Sequence, residues 1–273
     1  PSDWSSDVCS SDLAGMGGDG KHFFYVNPLE VRPEAIRWNL TYEHVKPVRQ
    51  SWFGVACCPP NIARTLPSLS GSLYARSDGA LHVLSHIASH FEDEGLKVAL
   101  TRQGEDHTLQ VEGPAMELRL RVPEGSALSA QGGRTEGAEH VFSHPGGQHA
   151  YRYRLSPRLR AVRANPRVAS SAGKICVMRG LDVYCLEEKD NGPWLSGLYM
   201  KEGAQLREVK GAGMDGLPVL EAEGLRMKEQ AFQDTLYSED KMVFEQATLR
   251  FVPYRAWGNR GEGEMAVWVN CLN

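Results

Sequence analysis

GLKVALTR, residues 95 to 102, and HTLQVEG, residues 107 to 113, alternate apolar and polar side chains on either side of a Gly-Glu-Asp tripeptide. A period of two sends successive side chains to opposite faces of an extended chain. Each stretch therefore predicts a half-buried antiparallel strand, and the tripeptide predicts the turn between them. The same alternation recurs in ALHVLSHIAS, MELRLRVPE and QHAYRYRLS. Short strands at this regular spacing predict a β-sandwich over 76–164. The segment 123–147 is polar and glycine-rich and reads as a long loop or an irregular hairpin.

A second β-rich block is expected over 165–273. KICVMRGLDVYCLEE reads as buried strand material, and Lys189 to Gly192 reads as a polar loop. LREVK, ATLRFVPY and AVWVNCL read as further strands, with GNRGEGE, residues 258 to 264, as a glycine-rich surface loop. The expected fold class is mainly β.

Composition bounds the function. A chain of 273 residues with 41% hydrophobic and 23% charged residues can bury a sizeable core in one large domain or two to three small ones. The formal net charge of −4, without a long basic run, gives no support to a nucleic-acid or membrane-surface partner. No apolar stretch approaches the roughly 20 residues that cross a bilayer. Cysteines at 9, 57, 58, 176, 185 and 271 form no CxxC pair and no framework spacing. A reducing, cytoplasmic compartment fits them better than a secreted disulfide scaffold, and Cys176 and Cys185 are expected to point into a sheet core.

The first thirteen residues stand apart. They are rich in serine and aspartate and lack periodicity, and DWSSDVCSSDL, from Asp3 to Leu13, matches the translation of a sequencing-library adapter. Such a segment is set aside from fold reasoning, Cys9 with it. The native frame is expected to enter near Ala14, with an unknown length of chain preceding it. From Gly15 to about Ala75 the sequence reads as loop and helix, including a Gly-rich turn at Gly17 to Gly20 and an extended aromatic run from His22 to Tyr25. No GK[ST] follows those glycines, so a phosphate loop is poorly supported.

VACCPPNIAR, residues 55 to 64, is the stretch richest in chemistry. A disulfide between the adjacent Cys57 and Cys58 would close a very small, strained ring. Two free thiols can be small apolar fillers, or they can serve as metal ligands, as a nucleophile, or as one of each. Pro59 or Pro60 suits the first turn of a helix, and Ile62, Ala63, Leu66 and Leu69 recur at helical spacing. The pair thus precedes a helix N-terminus, whose free N–H groups and dipole favour a thiolate. Pro67 predicts that the helix is short or kinked. His82, His86 and His90 are spaced by four, but the strand alternation around them predicts that all three share one sheet face rather than forming a zinc triad.

Taken together, ACCPPNIAR, FFYVNPLE, HVKPVRQSWF, RGLDVYCLEEKDNG and PYRAWGNRGEGEMAVWV resemble the C-terminal portion of glycoside hydrolase family 127, the β-L-arabinofuranosidases, in the family's order from about Gly15 onward. The resemblance implies two C-terminal β-sandwich domains preceded by the last helices of a truncated (α/α)6 toroid, the toroid remnant occupying 14–75. It implies that Cys57 is the nucleophile, that Cys58 binds zinc with Cys57 also in reach of the metal, and that Tyr25 faces the sugar pocket; simple core packing is the alternative for Tyr25. The substrate implied is an arabinose-containing oligosaccharide or glycoconjugate.

The family's acid/base glutamate and its Glu-x-Cys zinc ligands precede this region, and no Glu-x-Cys lies between Ala14 and Cys57. Glu30 and Glu34 read as ordinary helix-start or loop residues. The chain is therefore expected to be inactive alone and not to retain Zn2+, and its region before Ser77, stripped of its toroid neighbours, to be poorly ordered. The rival class is a non-catalytic sandwich protein that binds carbohydrate through aromatics aligned on one face, among them Trp194, Tyr199 and Trp257.

Overall fold

The computed structural model describes residues 13–39, 41, 43–54, 59–214, 216–229, 232 and 235–272. The chain is mainly β. Among the described residues its strands form one ten-stranded and two five-stranded sheets. It divides into two compact units, Cys57–Arg158 and a second made of Pro1–Ala56 with Leu159–Asn273.

In the unit Cys57–Arg158, the opening pair of stretches forms the expected hairpin. Leu96–Gln103 pairs with Asp106–Gly113, placing Val98 opposite Val111 and Leu100 opposite Leu109. The turn is two residues, Gly104 and Glu105, and Gly104 has φ +63°, which only glycine adopts without steric cost. Leu96, Val98, Leu100, Leu109 and Val111 point inward from this sheet. Leu81, Val83, Leu118, Leu120 and Phe142 come from the other sheet, and all ten lie in one buried cluster. Alternation is thus the direct cause of the shared core, because it gives each sheet one apolar face to bury.

Two expectations fail in this unit. The segment 123–147 is largely strand, with Ser126–Ala130, Arg134–Glu136 and Glu139–His144 inserted into the two sheets. Its glycines sit at the turns, where Gly132, Gly133 and Gly137 take positive φ, so composition concealed the strands between them. The three histidines also do not share a face. His82 is in Ala80–Val83 of one sheet and His90 in Ser89–Asp93 of the other, while His86 lies in the crossing segment between them. The alternation extends through ALHVLSHIAS, but the chain changes sheets inside it.

His86 is instead a packing centre. Its Nδ1 accepts from the Tyr153 hydroxyl at 2.7 Å when Nε2 donates to the Arg121 carbonyl at 2.7 Å. Burial pushes the imidazole down to about 4 from its ordinary 6.5. The folded unit therefore favours neutral His86. Its contribution is complete above 6.5 and declines as pH falls towards 4, because the unfolded chain takes up the proton first. Between pH 7 and pH 5 the unit should lose about 2 kcal/mol through this residue. Urea unfolding at the two pH values should show the loss in the wild type and a smaller one in His86→Gln; equal losses would contradict it.

In the other unit, pairing returns on itself. Asp182–Glu187, Phe244–Pro253, Leu217–Met227, Leu198–Lys201, Trp268–Leu272 and Lys174–Arg179 follow one another, and the last pairs again with the first through Met178 and Val183. The strands bury both faces. Ile175, Val177, Tyr184, Leu186, Leu220 and Phe251 join one cluster, while their neighbours Cys176, Cys185, Val219 and Val252 join another. This explains the near-continuous apolar reading of KICVMRGLDVYCLEE, and both cysteines are buried as expected.

The second cluster is completed by Ala14, Phe24 and Val31, and Glu30–Val31 adds an edge strand against Met265–Ala266. In the described part of 13–54, Ala14, Phe24 and Val31 are therefore covered, whereas the helix Pro33–Trp38 has no buried residue and Leu29, Trp38 and Trp52 stay exposed. The covered residues belong to a pairing of segments more than 200 residues apart, Glu30–Val31 with Met265–Ala266, that local patterning does not reveal. Of the expected toroid helices, Pro33–Trp38 occurs in this part.

Gly224 marks the tightest point of the sheet. A Cβ there would stand 2.6 Å from the Tyr199 carbonyl oxygen and 2.7 Å from Leu249 Cγ. Gly224→Ala should cost about 2 kcal/mol, since a backbone oxygen cannot swing away. Thermal unfolding measures it, and an unchanged midpoint would show that the strands separate freely.

Candidate functional site

The helix expected after the cysteine pair is present as Pro59–Ser68, with proline at its start and its end one residue beyond Pro67. Proline is favoured there because its missing N–H is not needed in the first turn. Cys57 and Cys58 lie outside the described residues, as does the Asn61 side chain. Among the described residues no group of three or more His, Cys, Asp or Glu could hold a metal ion.

Tyr25 sits in a half-buried aromatic group. Its ring lies 4.5 Å from His44 and 5.4 Å from Phe53, and Phe53 also meets Phe23 at 5.2 Å. The backbone of Phe23 exchanges hydrogen bonds with Gln50, 2.9 Å each way, which places HFFY beside HVKPVRQSWF. Alternation then separates the aromatic run. Phe23 and Tyr25 join this group, while Phe24 stacks on buried Trp257 with centroids 4.3 Å apart.

Arg49 holds these pieces in place. Its guanidinium is buried and lies 4.5 Å above the Phe24 ring. It donates to the carbonyls of Ala14 at 2.8 Å, Gly15 at 3.2 Å, Arg255 at 2.9 Å and Trp257 at 2.5 Å, and to Asn259 Oδ1 at 2.8 Å. Only the planar fork of arginine reaches acceptors on two chain segments at once. Sequence reasoning missed it, and no local spacing marks it.

The loop 258–264 is less of a surface loop than its glycines suggest. Gly258 is buried, and its N–H donates to Glu187 Oε1 at 2.9 Å. Arg260 bridges the carboxylates of Glu187 and Asp190, and Glu188 Oε2 accepts from the Glu264 N–H at 2.8 Å. LEEKDNG and GNRGEGE thus hold each other, so Glu187, Glu188 and Asp190 are committed to structure rather than poised as acids or bases. Glu30 is likewise engaged, with Arg32 at 2.6 Å.

The two buried thiols, Cys176 and Cys185, do not compete for reactivity. Burial pushes Cys176 up to about 12 and holds Cys185 well above its ordinary range, so both stay protonated. The three aromatics expected to line one face for carbohydrate binding do not share an exposed surface. Trp257 is 1% exposed and Tyr199 packs on Phe244, so of these three Trp194 is the exposed one.

The family model of the glycoside hydrolase family 127 C-terminal domain matches residues 159–270, and that of the family's β-L-arabinofuranosidase catalytic domain matches residues 10–71. The chain belongs to glycoside hydrolase family 127. The catalytic-domain match up to residue 56 and the C-terminal match fall in one compact unit, where Arg49 and the Glu30–Val31 edge strand tie them, while residues 57–71 of the first match fall in the other unit. Within family 127, the chain is 32% identical to the non-reducing end β-L-arabinofuranosidase of Bifidobacterium longum subsp. longum, over 96% of its own length and 44% of that protein's.

The crystal structure of a family 127 β-L-arabinofuranosidase from Geobacillus stearothermophilus T6 superposes with a TM-score of 0.81 at 34% identity, covering 95% of this chain and 44% of that one. Another family 127 β-arabinofuranosidase, at 24% identity and a TM-score of 0.75, shares the fold over 95% of this chain and 44% of that one. The chain thus spans about 44% of the relatives it matches. Its homologues are glycoside hydrolases.

Proposed function

We propose that this sequence belongs to a retaining glycosidase acting on terminal β-L-arabinofuranosides of oligosaccharides or glycoconjugates, with Cys57 as nucleophile. The observation that carries the reading is family membership together with a helix that begins directly after the cysteine pair. That helix terminus favours the thiolate form of a preceding cysteine. The Cys57 thiolate attacks the anomeric carbon, the glycosidic C–O bond breaks, and the leaving oxygen takes a proton from a carboxylic acid. Water then displaces the sulfur from the thioglycosyl intermediate, giving its proton to the same carboxylate.

Cys58, with Cys57, would bind Zn2+, which holds thiols deprotonated at neutral pH. Two thiolates do not fill a tetrahedral shell, and no Glu-x-Cys lies between Ala14 and Cys57 to supply the family's further ligands. The 273-residue chain is therefore proposed to be inactive by itself and not to retain the ion.

Tyr25, with His44 and Phe53 beside it, would line the sugar pocket. In this reading the two five-stranded sheets of the unit Cys57–Arg158 and the closed sheet of the other unit are the family's two β-sandwiches, and the helices at 33–38 and 59–68 belong to the end of its (α/α)6 toroid.

The test is hydrolysis of an aryl β-L-arabinofuranoside by the longest gene product containing this sequence, with bound zinc measured in parallel. Turnover with zinc bound supports the reading. Zinc without turnover moves the substrate to another sugar, and absence of both leaves the cysteine pair as packing.

A further inference from the structure

Trp194 is displayed at a structural cost. Its side chain is 52% exposed, although a ring of this size gains most by burial. Its backbone sits at φ 59° and ψ 59°, a left-handed conformation that bulky L-residues rarely enter. Among the described residues Glu94 is the other non-glycine with positive φ, and it has an ordinary reason, since it forms a two-residue hairpin turn with Gly95.

Trp194 occupies no such hairpin. The peptides on both sides of it are clamped: Arg226 Nη1 donates to the Pro193 carbonyl at 2.8 Å, and the Leu195 N–H donates to Glu264 Oε2 at 2.7 Å. Glycine or asparagine would satisfy the same backbone at lower cost. The indole itself needs another explanation, and strain held in place by its surroundings is a marker of function.

The indole borders a cavity of about 510 Å³, large enough for a small ligand. Opposite Pro193 and Trp194, the helix Pro33–Trp38 contributes Glu34 and Arg37 to the lining, and Glu262 adds a carboxylate paired with Arg37 at 2.7 Å. Arg32, Glu188 and Glu264 also line it but are already engaged, Arg32 with Glu30, Glu188 with the Glu264 N–H and Glu264 with the Leu195 N–H, which leaves Glu34, Arg37 and Glu262 interleaved around one aromatic surface. Neither a cation nor an anion is matched by such a mixture, and an apolar peptide would strip water from Glu34 and Arg37 without replacing it. A neutral ring with hydroxyl groups on its edge and C–H groups on its face satisfies both halves of the lining.

We infer that this cavity binds a glycosyl unit, the indole stacking on the sugar face while Glu34, Arg37 and Glu262 hydrogen-bond its hydroxyls. That the sugar is an arabinofuranosyl unit rests on the proposed function.

The chain itself is the test material, titrated with methyl β-L-arabinofuranoside and, as a control, cellobiose, by ligand-observed NMR. The arabinofuranoside should bind with Kd of about 1 mM. Trp194→Gly should weaken binding at least about tenfold without lowering the unfolding midpoint, because glycine enters the left-handed region freely. Trp194→Phe should keep most of the affinity. Absence of binding to either sugar, unchanged affinity in Trp194→Gly, or a lowered midpoint that assigns the indole to packing would overturn the inference. Cellobiose binding as tightly as the arabinofuranoside would overturn its sugar assignment. No hydrolysis is measured, so the outcome is independent of whether Cys57 is a nucleophile.

Discussion

Arg49→Met should destabilise the unit formed by Pro1–Ala56 and Leu159–Asn273 by about 4 kcal/mol. Methionine fills much of the volume but donates nothing, so the carbonyls of Ala14, Gly15, Arg255 and Trp257 lose a shared donor inside the protein. A buried acceptor left without a partner costs about 1–3 kcal/mol. The separate losses do not add fully, because the chain relaxes and water enters. The cation over Phe24 is lost as well, and with it part of the reason that Phe24 stacks on Trp257.

The effect should be regional. Hydrogen exchange should accelerate first at Glu30–Val31 and Met265–Ala266, the edge pairing that joins the two segments, and leave Leu96–Gln103 unchanged. A denaturation midpoint within about 1 kcal/mol of wild type would show that Arg49 is replaceable.

Cys57→Ala in the longest gene product should reduce kcat at least about 10³-fold while leaving the fold intact. A thiolate nucleophile divides glycoside cleavage into two displacements, and alanine offers no atom to make the first bond. KM need not rise with it, because the proposed mechanism assigns substrate recognition to other groups, Tyr25 and its neighbours among them. Cys58→Ala is a different lesion: under the proposed mechanism it removes a metal ligand and should lower bound zinc together with activity. Residual activity within about tenfold of wild type in Cys57→Ala would transfer the nucleophile to another residue.

The sequence displays the β class because period-two alternation is a local property, and Leu96, Val98 and Leu100 announce their shared face within five residues. The inward-pointing Cys176 and Cys185 are legible for the same reason. Local patterning fails where structure depends on distant partners. Trp268–Leu272 runs parallel to Leu198–Lys201 and helps to close the sheet, yet nothing in AVWVNCL specifies that neighbour. Arg49 and Trp257 are separated by 208 positions, and only the folded chain shows that they bond.

His86 was misread because alternation continues across the point where the chain changes sheets. At the candidate site, the helix behind the cysteines is legible from Pro59 and the apolar spacing that follows. The chemistry came from motif resemblance instead, because adjacent thiols are compatible with packing, metal binding and catalysis alike. GNRGEGE carried family information for a structural reason. Its glycine and arginine interlock with Glu187 and Asp190, which makes the motif a clamp.

The measurement that bears most directly on Cys57 is mass spectrometry of the longest gene product quenched during turnover of an activated aryl β-L-arabinofuranoside. The expected result is one anhydropentose added to the peptide containing Cys57, located on that sulfur by fragmentation and absent from Cys57→Ala. An adduct on an aspartate or glutamate, or steady hydrolysis with the Cys57 sulfur unmodified throughout, would contradict the thiolate mechanism.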